Sequence, residues 1–157
     1  MHGVIDGRRT LAAVLALLLS ALLLIGSAHR ADAEGERFGR RRQMLALTNQ
    51  DRQARDRREL GFAATLSRYA KSHSAAMARK GHLFHSTEDQ LRDALDGYDW
   101  SIGGENVGVG GSLDTLEDAF MASKLHRQNI LRPDFQRAAV GVIRDGDRYW
   151  VTVIFYG

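Results

Sequence analysis

The chain has 157 residues, 44% of them hydrophobic, with no cysteine, one proline and a formal net charge of +3 from 22 lysines and arginines against 19 aspartates and glutamates. The missing thiols exclude disulfide staples, a thiolate nucleophile and a lipid-modified cysteine anchor. The sequence has no internal repeat and no low-complexity tract, so stability has to come from one hydrophobic core.

At the start, Arg8 and Arg9 precede an apolar stretch from Leu11 to Ile25 that is followed by small residues, the pattern of a secretory signal peptide. Its 15 residues, at about 1.5 Å each in a helix, fall short of a hydrocarbon core of roughly 30 Å, so a cleaved leader is expected in place of a permanent anchor. Gly26-Ser27-Ala28 and Ala31-Asp32-Ala33 both offer small-x-small cleavage sites, and residues 1–33 are read as the leader. A secreted or extracytoplasmic protein follows.

Residues 34–43 are polar and Arg-rich and are expected to form a loose basic lead-in to one domain over residues 44–157. Arg37, Arg40, Arg41, Arg42, Arg52, Arg55, Arg57 and Arg58 concentrate positive charge near this end. They read as a solvated basic helix face, with only weak peripheral attraction to anionic surfaces. Export and the lack of interleaved aromatics argue against a nucleic-acid partner.

Met44, Leu45, Leu47 and Thr48 begin a helical pattern that is expected to run to about Arg55, with Arg55-Asp56-Arg57-Arg58-Glu59 as an exposed connection. Leu66, Tyr69, Ala70, His73 and Met77 share one face of a second helix, closed by Gly81. His73 on that stripe reads as a hydrogen-bonded core residue. A short helix over Glu88 to Leu95 ends at Asp96-Gly97, and Asn106-Val107-Gly108-Val109 can form a strand. Ser112 is a good N-cap for a third long helix, with Leu113, Leu116 and Phe120 on one face and His126 expected at its far end, as a helix-terminal charge.

Val140 to Arg144 and Tyr149 to Phe155 read as a β-hairpin across Asp145-Gly146-Asp147-Arg148. Tyr149, Val151, Val153 and Phe155 point one way, and Trp150, Thr152, Ile154 and Tyr156 the other. A sheet apolar on both faces has to be covered on both. The expected fold class is therefore α+β, a three-layer α-β-α sandwich.

Three polar clusters carry the chemistry. In the first, His82 and His85 follow a helix-ending glycine, so a loop is expected; His82 reads as a packing or solvent-facing residue. In the second, Glu105 follows two glycines, where a carboxylate can be held by amide donors or can orient an imidazole. Asn106 and Asn129 read as loop fasteners through side chain to backbone bonds. His126 belongs to the third.

Taken in order, Leu47-Thr48-Asn49-Gln50, Met77-Ala78-Arg79-Lys80-Gly81, Phe84-His85-Ser86, Gly97-Tyr98, Gly104-Glu105-Asn106, His126-Arg127-Gln128-Asn129-Ile130-Leu131 and Val140-Gly141-Val142 resemble the CAP superfamily, or SCP domain, in its bacterial form. That superfamily groups cysteine-rich secretory proteins, antigen 5 and pathogenesis-related 1 proteins. The resemblance covers Met44 to Phe155 and implies a CAP/SCP-like sandwich with a cleft in which His85 and His126 come together beside Glu105. It also implies that the two histidines can hold a divalent metal such as zinc. Two departures stand out. The second acid that the family carries before the second histidine is missing at Ala122 and Ser123, with Glu117 further upstream. Leu125 stands where relatives commonly have glycine.

The reading that the resemblance favours is an exported binding module whose His85, Glu105 and His126 cleft takes a divalent cation, a small apolar ligand or an envelope component. One alternative is a metal-dependent hydrolase with His85 and His126 as ligands and Glu105 as general base, although hydrolytic zinc centres usually use three protein ligands. Another is a non-catalytic interaction domain in which the polar cluster only fastens the sandwich. A serine hydrolase using Ser86 or Ser123 lacks anything like a nucleophile elbow.

Overall fold

The computed structural model describes residues 35–157; the expected leader lies outside the described residues. The compact unit is Arg37–Gly157. Its first helix, α1, is helical through residue 53. Then come β1 (Gly61–Phe62), α2 (Ser67–Lys80), α3 (Glu88–Leu95), β2 (Gly103–Gly110), α4 (Leu113–Ala122), α5 (Lys124–Leu131), β3 (Arg137–Asp145) and β4 (Arg148–Tyr156).

The four strands lie in the order β1-β3-β4-β2, with β1 parallel to β3 and the other pairs antiparallel. β3 and β4 form the expected hairpin, Asp145 facing Arg148, and Gly146 takes the positive φ of 59° that its tight turn requires. The two faces alternate as the sequence pattern demands. Val140, Val142, Val151, Val153 and Phe155 pack with Met44 of α1, Phe120 of α4 and Ile130 of α5. On the other side, Ala139, Ile154 and Tyr156 pack with Ala70 of α2 and Leu95 of α3, and Trp150 packs with Met77. Helices therefore cover both sides, and the α+β three-layer sandwich is the observed fold.

α2 lies so close to the sheet that a Cβ on Gly141 would sit 2.2 Å from the Ala70 carbonyl carbon and oxygen. Ser67 and Ser74 fasten the contact. Ser67 Oγ accepts the Val140 N–H at 3.0 Å, and Ser74 Oγ lies 2.9 Å from Thr152 Oγ1. α3 starts in a capping box, in which Thr87 Oγ1 accepts the Gln90 N–H and Gln90 Oε1 accepts the Thr87 N–H. Gly81 closes α2 with φ of 71°, as its position after a periodic run predicts.

Three expectations are corrected. Residues 35–43 are not a loose lead-in but helical and continuous with the rest of α1. The third long helix is two helices, because Ser123 takes extended backbone with ψ of 124° and breaks the run; that puts His126 in the first turn of α5, at the positive end of a helix dipole instead of the negative one. Finally, Arg52 is not part of a solvated basic face. It is fully buried, and its guanidinium donates from Nε to the Arg58 carbonyl at 2.7 Å and from Nη1 to the Ile130 and Arg132 carbonyls at 2.6 and 3.0 Å. Burial, and then the charges of Arg57 and Arg58, lower its pKa.

Glu117 on α4 is the second buried charge-bearing side chain against α1. Its Oε2 accepts the Thr48 hydroxyl at 3.1 Å, and burial is the main reason that its pKa is pushed up to about 8.

Two stability predictions follow from this packing. Gly141→Ala puts a methyl into α2 backbone, which cannot rotate away, and should cost about 3 kcal/mol or more in urea denaturation; a cost below about 0.5 kcal/mol would mean that α2 does not sit there. Glu117 binds its proton more tightly folded than unfolded, so it stabilises fully below the ordinary carboxylate range and that stability is lost as pH rises through about 8. Glu117→Gln should therefore flatten the fall in stability between about pH 5 and 8, by an amount on the order of a few kcal/mol, in denaturation curves taken across that range.

Candidate functional site

β2 is an edge strand, with β4 as its only neighbour in the sheet order. Chain from the two helical layers can therefore meet around its free side. Glu105, the third residue of β2, points toward the loop between α2 and α3 and is met there by two successive residues. Its Oε1 accepts the Ser86 N–H at 2.9 Å and lies 2.9 Å from His85 Nδ1, and its Oε2 accepts the Ser86 hydroxyl at 2.7 Å. The Glu105 side chain is only 5% exposed, whereas that of His85 is 57% exposed.

An ionised carboxylate only accepts, so the proton between the two groups sits on His85 Nδ1, and whenever the imidazole is neutral its lone pair is on Nε2. Ser86 spends its own proton on Glu105 and accepts from the Tyr69 hydroxyl at 3.0 Å. His73 backs this turn. Its Nε2 donates to the Phe84 carbonyl at 2.9 Å, and its ring meets Phe84 edge-on with centroids 4.9 Å apart. That is the hydrogen-bonded core role expected of it.

From the other layer, α5 presents His126 in its first turn, with the ring against Phe120 at 4.9 Å. The ring of His126 makes no hydrogen bond among the described residues. Burial lowers its pKa, and a charge on His85 lowers it further. Asn106 and Asn129 hold α5 to β2. Asn106 Nδ2 donates to the His126 carbonyl at 3.1 Å, and Asn129 Nδ2 donates to Asn106 Oδ1 at 2.9 Å and to the Glu105 carbonyl at 3.3 Å. Gly104 makes room for this clamp, since a Cβ there would stand 3.0 Å from Asn129 Oδ1.

The structure joins His85 to Glu105 and fastens the α5 turn that carries His126 to β2, while His82 is exposed, with Nδ1 3.2 Å from the Lys80 carbonyl. Glu117 is on a different wall of the molecule, against Thr48 of α1, and does not replace the missing second acid. Leu125 is helical with negative φ, so leucine carries no backbone strain there. It is 73% exposed, and Leu83, two residues before His85, is exposed as well. The residues beyond the reach of sequence reasoning are Ser86 and Tyr69: Ser86 reads from sequence only as a nucleophile, while the fold makes it the double donor that fixes Glu105.

As a metal site the set is incomplete but well prepared. Among the described residues no group of three or more His, Asp or Glu side chains converges on one point. Glu105 accepts three donors, two on Oε1 and one on Oε2, and one of them is the His85 ring. A carboxylate has about four acceptor sites, so one on Oε2 stays open.

In His85→Ala the His126 titration midpoint, followed by NMR, should rise toward the ordinary histidine value without reaching it, because burial is the larger cause and remains. A midpoint that does not move would separate the two rings.

Residues 45–155 match the family model described as the cysteine-rich secretory protein family, CAP. The uncharacterized protein YkwD of Bacillus subtilis is 30% identical over 112 residues, 67% of this chain and 43% of that protein. An extracellular protein of Bacillus anthracis that contains an SCP domain superposes with a TM-score of 0.65 at 24% identity, over 76% of this chain and 41% of the other. A cysteine-rich secretory protein of Staphylococcus aureus gives 0.63 at 26%, over 75% and 38%. An outer surface protein of Borrelia burgdorferi gives 0.64 at 15%, over 73% and 90%, which bears on the fold alone. The chain spans less than half the length of YkwD and of the first two structures.

Proposed function

The chain belongs to the CAP, or cysteine-rich secretory protein, family, and from that premise we propose that it is an extracytoplasmic binding domain whose cleft offers His85 and His126 to a divalent cation, zinc or a similar ion, and to a small ligand. The observation that carries this reading is the buried Glu105 carboxylate, held by Ser86 and bonded to Nδ1 of the exposed His85 ring. A cation on two neutral imidazoles keeps coordination positions for water or a ligand group. The exposed Leu83 and Leu125, next to the two histidines in sequence, favour a ligand with an apolar part, such as an envelope component. The location is supported by the leader-like N-terminal pattern and by the similarity to an extracellular protein of Bacillus anthracis and an outer surface protein of Borrelia burgdorferi. Among the described residues no helix is long and apolar enough to cross a membrane.

Binding is favoured over hydrolysis because hydrolytic zinc centres usually use three protein ligands, and no such group of three converges among the described residues. The non-catalytic interaction domain is the competing reading, and zinc titration separates the two. Calorimetry should show saturable binding of one zinc ion, lost in His85→Ala and in His126→Ala with thermal stability little changed. Glu105→Gln, which loosens His85 without removing a ligand, should weaken binding about 10- to 100-fold. A parent protein that takes up no zinc, together with a large stability loss in both alanine variants, would leave the cluster as a fastening of the sandwich and nothing more.

A further inference from the structure

A groove of about 710 Å³ runs along α5 and the turn that follows it, and neither His85 nor His126 lines it. Lys124, Arg127, Gln128 and Leu131 fall at i, i+3, i+4 and i+7, so one face of the helix forms a wall, with Arg132 at its end. That wall is rich in donors that have nothing to donate to. The side chains of Lys124 and Gln128 make no hydrogen bond or ion pair among the described residues. Arg127 is held by Nη1, which donates to the Met121 and Ala122 carbonyls at 2.5 and 3.3 Å, across the break between α4 and α5. Its other fork, Nε and Nη2, has no partner among the described residues.

The far end of the groove is positive as well. Arg132 meets one acid, Asp134, at 3.4 Å with both side chains exposed, a contact worth little. Exposed Arg57 donates from Nε to the Leu131 carbonyl at 3.1 Å, and buried Arg52 donates to the Ile130 and Arg132 carbonyls of the same turn. Like charges gathered in this way repel one another, and an anion in the groove lowers that cost.

The spacing says which anion. Lys124 and Arg127 stand on neighbouring turns, with Cβ atoms about 5–6 Å apart. The free arginine fork can take two oxygens of one group while the ammonium approaches it from another direction. A phosphate offers acceptors in a tetrahedral arrangement that meets both, whereas a carboxylate offers its lone pairs in one plane. From Lys124 to Arg132 the helix rises roughly 12 Å, so one phosphate does not serve both ends. A concave groove also suits a chain better than the flat face of a bilayer. We propose that this groove binds a linear phosphate-bearing polymer, with one phosphate between Lys124 and Arg127 and another between Arg132 and Arg57.

The test is calorimetric titration at pH 7, with a chelator present so that no metal occupies the histidine cleft. Linear polyphosphate, inorganic phosphate and poly-L-glutamate are titrated in parallel, and phosphatidylglycerol vesicles are assayed by co-sedimentation. Polyphosphate should bind saturably, at least tenfold more tightly per phosphate than inorganic phosphate and per charge than poly-L-glutamate. Lys124→Gln with Arg132→Gln removes an exposed cation from each end and should weaken that binding at least tenfold. The slope of log affinity against log salt should fall by about 1 to 2 in that variant. Arg144→Gln with Arg148→Gln takes the same charge from the exposed tip of the β3-β4 hairpin and should leave affinity within twofold of the parent. Absence of polyphosphate binding, equal losses in the two double variants, inorganic phosphate or poly-L-glutamate bound as tightly as polyphosphate, or binding to the vesicles alone would overturn the proposal.

Discussion

The arrangement of this domain depends on a buried cation that has no anion. Arg52 is removed from water, and among the described residues no carboxylate pairs with it; its N–H groups are spent on the carbonyls of Arg58, Ile130, Arg132 and Phe135. Burying an unpaired charge costs several kcal/mol unless every donor finds an acceptor. Here the acceptors come from the connection after α1, the C-terminal end of α5 and the approach to β3. The carbonyls at the end of α5 carry the negative pole of the helix dipole, which partly replaces the missing anion. One side chain thereby fixes where α5 ends, and since α5 is only two turns long, it also helps to fix where its first turn puts His126.

That placement matters because the site is assembled across a sheet and not within one layer. Glu105 projects to the layer of α2 and α3, and His126 rides on α5 in the opposite layer, yet the free edge of β2 lets the loop carrying His85 come round to both. The amides of Asn106 and Asn129 lock α5 onto β2, so the position of the His126 backbone is set by hydrogen bonds to main chain and not by its ring.

Much of this was legible in the sequence. The two-faced alternation of Tyr149 to Tyr156 requires a covered sheet, and the covered sheet requires helices on both sides. Of the three polar clusters, only the loop that carries His85 reads correctly: Gly103-Gly104-Glu105 is strand where a turn was expected, and His126 begins a helix where it was expected to end one. Three features were not legible. Arg52 looks like its exposed neighbours because a one-dimensional run of arginines does not say which of them points inward; only the four carbonyls, three of them about 80 positions away in sequence, decide it. The break at Ser123 is invisible because serine and the residues around it tolerate helix, and the tertiary demand that α5 turn toward β2 wins over local preference. The role of Ser86 depends on where Glu105 ends up, and no local pattern encodes that.

Two buried carboxylates in one small domain show why residue type alone does not assign function. Glu105 receives a backbone amide, a hydroxyl and an imidazole, so its oxygens are satisfied by the protein and its charge is used to orient His85. Glu117 receives one hydroxyl and faces further carboxylates, so the fold leaves it with an acceptor that nothing in the described chain satisfies. The first is a finished piece of scaffolding that points at a site. The second keeps one oxygen that no donor in the described chain meets, and burial holds its proton up to about pH 8. The same residue type is thus an anchor for an imidazole in one place and a buried acid, whose deprotonation works against the fold, in the other.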